Sequence, residues 1–341
     1  MKTNKVLFVL LSLLVVATML TACAAPAAPA ATQPPAATQP TAATQPPTAA
    51  AKPYIAMISK GFQHAFWQAV KLGAENAAKD LNVTVTFEGP ETEAMVDKQM
   101  EMLQTALDKH PAGIAFAALD SKAAIPLLQK AKDQGIPVVG FDSGVDSDIP
   151  LTTAATDNIA ASAMAADKMA ELIGAAGGEV ALICHDQTSR TGIDRTKGFT
   201  DQLTNKYPLV KLIDTEFGAG DPLKSTDIAK AVMTGHPNLK GYFGCNEGSM
   251  KGVMNAAKEL SREGKIVMIG YDAGQQLMDE IRSGVVAGAI TQDPIGIGYK
   301  SVQALVDALA GKTVPKFIDT GFHWYDKTNI DDPAIAALLY K

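Results

Sequence analysis

The stretch YIAMISKGFQHAFWQAVKLGAENAAKDLNVTVTF, residues 54–87, carries two hydrophobic periods in succession. YIAMIS (54–59) is a short, nearly continuous apolar run and VTVTF (83–87) is another; such runs read as strands buried on both faces. Between them Phe66, Ala69, Val70, Gly73, Ala77 and Leu81 recur at i, i+3, i+4 spacing, so they share one face of a helix. Strand, helix, strand is the unit of a parallel sheet covered by helices.

The alternation continues along the chain. GIAFAA (113–118) and IPVVGF (136–141) complete a first series; EVALIC (179–184), LVKLIDTEF (209–217), LKGYFGC (239–245), KIVMIGYD (265–272) and VVAGAITQ (285–292) form a second. Nine such runs exceed one small sheet and divide near Thr156. The reading is α/β, with two doubly wound parallel-sheet lobes of similar layout. The length from Pro53 to Lys341 agrees, because single cores stop growing at ~250–300 residues.

Ahead of Pro53 the composition changes. Lys2 and Lys5, the apolar run VLFVLLSLLVVATML (6–20) and LTAC ending at Cys23 read as an export signal, with an uncleaved anchor helix as the alternative. Thr21 and Ala22 before a lone cysteine resemble a bacterial lipobox. That resemblance implies a lipoprotein signal over 1–22, cleavage before Cys23 and a lipid on its sulfur. Residues 24–52 are almost entirely Ala, Pro, Thr and Gln, a composition that cannot bury a core, so 23–52 reads as a lipidated tether. Its ~29 residues at ~3.1 Å each would reach roughly 90 Å. Losing Lys2 and Lys5 takes the formal charge from −6 to −8. With no basic patch, nucleic acid is excluded as a partner.

In open parallel sheets ligands bind at the carboxyl ends of strands, so the residues just after each run were read for chemistry. KGFQHAFW (60–67) supplies Lys60, His64, Phe66 and Trp67. Phe66 fits the apolar face. Trp67 lies about 100° away on a line with Lys71, Ala74 and Ala78, too polar for core; it reads either as a buried satellite or, preferably, as an aromatic that offers its flat face to a cleft. His64 is either an idle helix-start residue or a donor to ligand; it lacks partners at metal-ligand spacing. The later runs are followed by Asp142 in FDSG, Arg195 in CHDQTSRTGIDRTKGF (which also holds Asp186 and Arg190), Asn246 in NEG, Asp272 in YDAG and Gln292 in TQDP. Singly these are ordinary caps and turn residues. Together they match vicinal hydroxyls: carboxylates accept, arginine donates in a fork, and amides do both. Aromatic faces suit the C–H face of a pyranose, while two aspartates disfavour phosphate or carboxylate. The set points to a monosaccharide, with no cofactor and no metal.

The motifs IAMISKGFQHAFWQAVKLGAENAAKDL, GIPVVGFDSGVDSD, ATDN, DRTKGF, HPNLKGYFGCNE, MIGYDA and ITQDP, spread in order over residues 53–312, resemble the periplasmic ribose-binding type of sugar-binding proteins for ABC importers. The resemblance implies the type I periplasmic binding protein fold, its lobes joined by a three-segment hinge near Thr156–Asp157, Gln292–Asp293 and Thr320–Phe322. The N-terminal lobe would comprise 53–156 plus 293–320 and the C-terminal lobe 157–292 plus 321–341. It places the stacking aromatics on Phe66 and Trp67 and the polar contacts on Asp142, Arg195, Asn246, Asp272 and Gln292. His64 and Ala117 stand where ribose binders have Asn, Ser143 where they have Arg, and Gly220 near a usual aromatic, so D-ribose does not follow as the ligand. The implied protein is a monomeric, non-enzymatic, extracytoplasmic binding protein. It closes on a pentose or hexose and docks on a membrane permease, or alternatively presents the sugar to a chemoreceptor or sensor kinase.

Other classes fit less well. CHD at 184–186 invites a thiol nucleophile, but adjacent strand residues point to opposite faces. No G-x-G-x-x-G or Walker sequence follows a strand. A repressor would need a DNA-binding module where the signal and tether stand. Cys184 and Cys245 close neighbouring strands of a flavodoxin-like order, so a disulfide is open to them, although parallel neighbours seldom offer its geometry. A free buried thiol is the expectation.

Overall fold

The computed structural model describes residues 51–341; the signal, Cys23 and nearly all of the tether lie outside the described residues. All nine apolar runs form strands. In the first lobe β1 (Tyr54–Ile58), α1 (Ala65–Asp80), β2 (Thr84–Glu88), α2 (Val96–Asp108), β3 (Gly113–Phe116), α3 (Ile125–Asp133), β4 (Val138–Phe141) and β5 (Thr153–Ala155) follow in order. In the second come α4 (Asn158–Ile173), β6 (Gly178–Cys184), α5 (Arg190–Lys206), β7 (Val210–Phe217), α6 (Pro222–Gly235), β8 (Leu239–Gly244), α7 (Glu247–Glu259), β9 (Val267–Tyr271), α8 (Gln275–Ser283) and β10 (Gly288–Gln292). The chain then returns to the first lobe with α9 (Pro294–Leu309) and β11 (Phe317–Asp319). It ends on the second with β12 (Phe322–Tyr325) and the short α10 (Pro333–Ala336).

The two sheets run β11-β5-β4-β3-β1-β2 and β12-β10-β9-β8-β6-β7. All pairings are parallel except β10 with β12. The inner strands of each sheet are buried on both faces, while the edge strands β2 and β7 are only half-buried. Ile55 and Met57 point into one core cluster and Ala56 and Ile58 into another, which is why β1 reads as a continuous apolar run.

Three strands were not legible in the sequence: β5, β11 and β12. They are only three or four residues long and lie beside the places where the chain passes between sheets. Those places adjoin one another. Thr156 Oγ1 donates to the Gly321 carbonyl at 3.4 Å, Thr320 N to the Ala155 carbonyl at 3.0 Å, and Gln292 pairs with Phe322.

Helix α1, which carries the aromatic pair, is locked in place by α9. A Cβ on Gly73 would fall 2.0 Å from the Ile295 carbonyl oxygen, and one on Gly298 2.0 Å from that of Val70. The two helices therefore meet backbone to backbone.

Candidate functional site

The carboxyl ends of both sheets face each other across one small cavity. Nine of the residues singled out around the strand ends line it: Lys60, His64, Phe66, Trp67 and Asp142 from the first lobe, Arg195, Asn246, Asp272 and Gln292 from the second. Glu93, His185 and Thr191 line it as well, and the sequence reading had passed over them.

Trp67 corrects one inference. Its helical line is not left outside the core: Trp67 is 1% exposed and Ala74 fully buried, so the buried stripe of α1 is wider than the spacing suggested. The indole still borders the cavity, meets Phe66 edge to face at 5.0 Å between centroids, and donates Nε1–H to Glu93 Oε1 at 2.8 Å. Glu93 sits in the loop GPETE (89–93) after β2 and is fixed there by its own backbone N–H, donated to Gln63 Oε1 at 2.8 Å. From the second lobe Gly220, at φ 67°, closes over it. A Cβ on Gly220 would stand 3.0 Å from Glu93 Oε2 and 3.4 Å from His64 Nε2. Burial opposes the charge on Glu93, but Lys60, His64 and His185 together with the Trp67 hydrogen bond hold its carboxyl below the ordinary range.

Across the cavity Arg195 is gripped on every side. Its Nε donates to Asn158 Oδ1 at 2.7 Å and its Nη1 to the Cys245 carbonyl at 3.0 Å. The guanidinium lies 3.8 Å from the Tyr271 ring centroid, and Nη1 is 4.0 Å from Asp272 Oδ2. Asp272 also accepts from Gln292 Nε2 at 2.6 Å and from Glu247 N, in the first turn of α7, at 3.0 Å. Burial raises its pKa, with Arg195 and Gln292 pulling it back. Gln292 Oε1 is buried and has no hydrogen-bond partner among the described residues. Asn246 caps α7, its side chain accepting from Ser249 N at 2.9 Å. Of the other polar residues read after β6, Asp186 accepts from Thr188 N and Ser189 N, and Arg190 pairs with Asp194 and Asp146; neither lines the cavity.

The lobes touch directly around the cavity. Lys60 Nζ donates to Thr191 Oγ1 at 2.9 Å and Ser189 Oγ at 3.5 Å, Gln63 Nε2 to the Gly220 carbonyl at 3.4 Å, and Ser121 N to the Thr188 carbonyl at 2.9 Å. This is a closed arrangement. Asp142 sits within it with no hydrogen bond to its carboxylate among the described residues; burial pushes its pKa up to about 6, against the charges of Lys60 and Arg195.

Cys184 and Cys245 form a disulfide, contrary to the free thiol expected. The parallel neighbours β6 and β8 bring their Cα atoms to 4.9 Å at the strand ends. That separation lies within the span a disulfide bridges. His185, next to Cys184, does not reach outward as a catalytic base. It is buried, and burial first, then the charge of Lys60, depresses its pKa, so the imidazole is neutral at physiological pH.

Comparison with known proteins agrees with this architecture. Residues 55–313 match the periplasmic binding protein domain. The D-allose-binding periplasmic protein of Escherichia coli K12 is 29% identical over 268 residues, covering 76% of this chain and 86% of its own. Among solved structures, a carbohydrate transporter solute-binding protein from Agrobacterium radiobacter in complex with D-arabinose shares 31% identity at a TM-score of 0.82. It covers 85% of this chain and all of that one. An ABC transporter solute-binding protein from Agrobacterium vitis with bound D-fucose shares 32% at 0.81, over 84% of this chain and all of its own. Two doubly wound lobes, a polar cavity at their strand ends and these likenesses converge: the chain belongs to the type I periplasmic binding proteins, the sugar-binding group that serves ABC importers.

Proposed function

We propose that this chain is an extracytoplasmic lipoprotein that captures a neutral pentose or hexose between its lobes and delivers it to an ABC permease. The observation that carries the reading is the gathering of nine strand-end residues, drawn from both lobes, on one small cavity. The cavity gathers donors and acceptors together, as a set of sugar hydroxyls requires. Asp142 and Asp272 accept, Arg195 and Lys60 donate, and Asn246 offers amide donors. Gln292 Oε1, buried and unpartnered, calls for a hydroxyl donor. Trp67 and Phe66 offer apolar faces to the ring. Relatives that bind D-allose and structural neighbours seen with D-arabinose and D-fucose support the same class.

Binding works by closure in this reading. Neither lobe alone surrounds a sugar, so ligand shifts the population toward the shut form, which the permease recognises. Lipid on Cys23 and the Ala/Pro/Thr/Gln segment would hold the monomer near that partner. A thermal-shift panel of pentoses, hexoses and polyols on the fragment from Pro53 tests it, since a ligand bound only by the native state raises Tm. At least one aldose should raise Tm, and Trp67→Ala and Asp142→Ala should each abolish the rise while leaving a cooperative transition. A rise unchanged in both variants puts the site elsewhere.

A further inference from the structure

The Cys184–Cys245 disulfide stands directly behind the second-lobe wall of the cavity. Cys184 ends β6 and precedes His185; Cys245 follows β8 and precedes Asn246; the carbonyl of Cys245 accepts from Arg195 Nη1 at 3.0 Å. Three lining residues thus hang on one covalent link. His185 extends the connection. Its Nδ1 lies 3.6 Å from Cys184 Sγ and 3.4 Å from Cys245 Sγ, while its Nε2 lies 2.9 Å from Thr191 Oγ1. Thr191 in turn accepts from Lys60 Nζ of the opposite lobe.

We propose that this disulfide is the positioning element for the second-lobe half of the sugar site, and that its reduction by a dithiol weakens sugar capture without unfolding the protein. The dithiol supplies two electrons and two protons: the S–S bond breaks to two cysteine thiols, and the reductant closes to its own disulfide. The ends of β6 and β8, which carry His185 and Asn246, are then no longer tied to each other. Both cysteines are fully buried, and the His185 ring lies against both sulfurs. Movement of either strand end therefore reaches the ring, and through it Thr191 and the Lys60 contact across the seam. By reciprocity, a sugar that favours the closed, oxidised protein must oppose reduction by the same factor. A disulfide that merely braced the core would show no such coupling.

This inference rests on the sugar-binding reading, and the test separates the two. Isothermal titration with D-allose, D-ribose and D-arabinose is run on the fragment from Pro53, oxidised and after refolding in dithiothreitol, which reaches the buried sulfurs only in the unfolded chain; a thiol count confirms reduction and circular dichroism confirms that the reduced protein is folded. Kd for the sugar bound by the oxidised form should rise at least about fivefold on reduction, the weight of one hydrogen bond. Saturating sugar should protect the disulfide from the dithiol. The pair Cys184→Ala/Cys245→Ala, which removes bond and bulk together, should ignore the reductant and bind more tightly than reduced wild type. Nuclear magnetic resonance of the sugar-free protein supplies an arm that needs no ligand: reduction should shift the side-chain resonances of Arg195 and Thr191, which belong to the second lobe and are not adjacent to either cysteine. Equal affinity after reduction, or unchanged resonances at these two residues, overturns the proposal. Failure of all three sugars to bind counts against the sugar reading, while the resonances still decide the role of the disulfide.

Discussion

Asp142 and Asp272 occupy matching places in the two lobes. Each immediately follows the fourth sequential strand of its lobe, β4 or β9. Each sits in the left-handed region, at φ 54° and 76°. Each donates its backbone N–H to the strand that comes next, Asp142 to the Ala154 carbonyl at 3.0 Å and Asp272 to that of Ile290 at 2.7 Å. Aspartate tolerates this conformation better than most residues, and the turn aims each carboxylate at the cavity instead of along the strand.

Their side chains differ, so the same substitution should act oppositely on stability. Asp272 accepts from Gln292 Nε2 and Glu247 N. In Asp272→Asn one donor would face another donor, costing ~1–3 kcal/mol in the sugar-free protein. Asp142 has no hydrogen bond to its carboxylate among the described residues, and burial opposes its charge. Asp142→Asn should therefore stabilise the sugar-free protein at neutral pH, by at most ~3 kcal/mol. Urea denaturation of both variants beside wild type checks the pair of signs. Asp142→Asn should lower sugar affinity all the same.

The pH dependence of that gain follows from the raised pKa of Asp142, about 6 against an ordinary 3.8. Below pH ~4 the carboxyl is protonated in both folded and unfolded states, and Asp142→Asn brings nothing. As pH rises from ~4 to ~6 the unfolded state ionises first, wild type loses this contribution, and the variant gains on it. The stability difference should level off above pH ~6. Sugar affinity of wild type should move the other way and fall as pH drops through ~6, because the acceptor is lost. Paired denaturation and titration series from pH 4 to 8 measure both.

Trp67 should report occupancy. The chain has two tryptophans, and only Trp67 borders the cavity. Sugar binding should change its emission in Trp324→Phe and leave emission silent in Trp67→Phe. Trp67→Phe also removes the donor to Glu93 Oε1 and should weaken binding by at least about 10-fold, since a hydrogen bond to a charged group contributes ~1.5–3 kcal/mol.

Anionic sugars should be refused. Glu93, Asp142 and Asp272 outnumber Lys60 and Arg195 around the cavity, and a uronate would add another carboxylate. At roughly equal size, D-glucuronate or D-galacturonate should bind at least about 100-fold more weakly than the best neutral aldose, since an unpaired buried charge is costly. Competition titration against that aldose measures the ratio.

How far the sequence carries differs from element to element. Seven of the nine legible strands are buried on both faces, which writes a nearly continuous apolar run; β2 and β7, at the sheet edges, are half-buried and show instead as β-branched and apolar residues among polar ones. The strands β5, β11 and β12 carry neither signal. Eight of the nine lining residues end or follow strands or begin the helix behind β1, where topology directs them; Arg195 stands in the second turn of α5. His185 follows β6 directly and is within reach of the same rule, although CHD invites a nucleophile first. Thr191, in the first turn of α5, carries nothing in the sequence that sets it apart from other helix-start residues. Glu93 was hidden for a different reason: GPETE reads as a solvent-facing turn, and only Gly220, more than a hundred residues later, covers it. The disulfide was discounted on general geometry, whereas the actual strand ends stand close enough to be bridged.

The three passages between sheets adjoin along one side of the molecule, tied by Thr156 to Gly321, Thr320 to Ala155 and Gln292 to Phe322. Such an axis permits pivoting and resists sliding, so displacement grows with distance from it. Gln292 ends its strand immediately beside that axis and holds Asp272, while Lys60 and Gln63 reach across the seam to Thr191 and Gly220. An arriving sugar would meet Gln292 and Asp272 first, in nearly final positions, and Lys60 would swing in last. Changes near the axis should then alter how fast sugar is caught, and changes at the swinging side how long it stays.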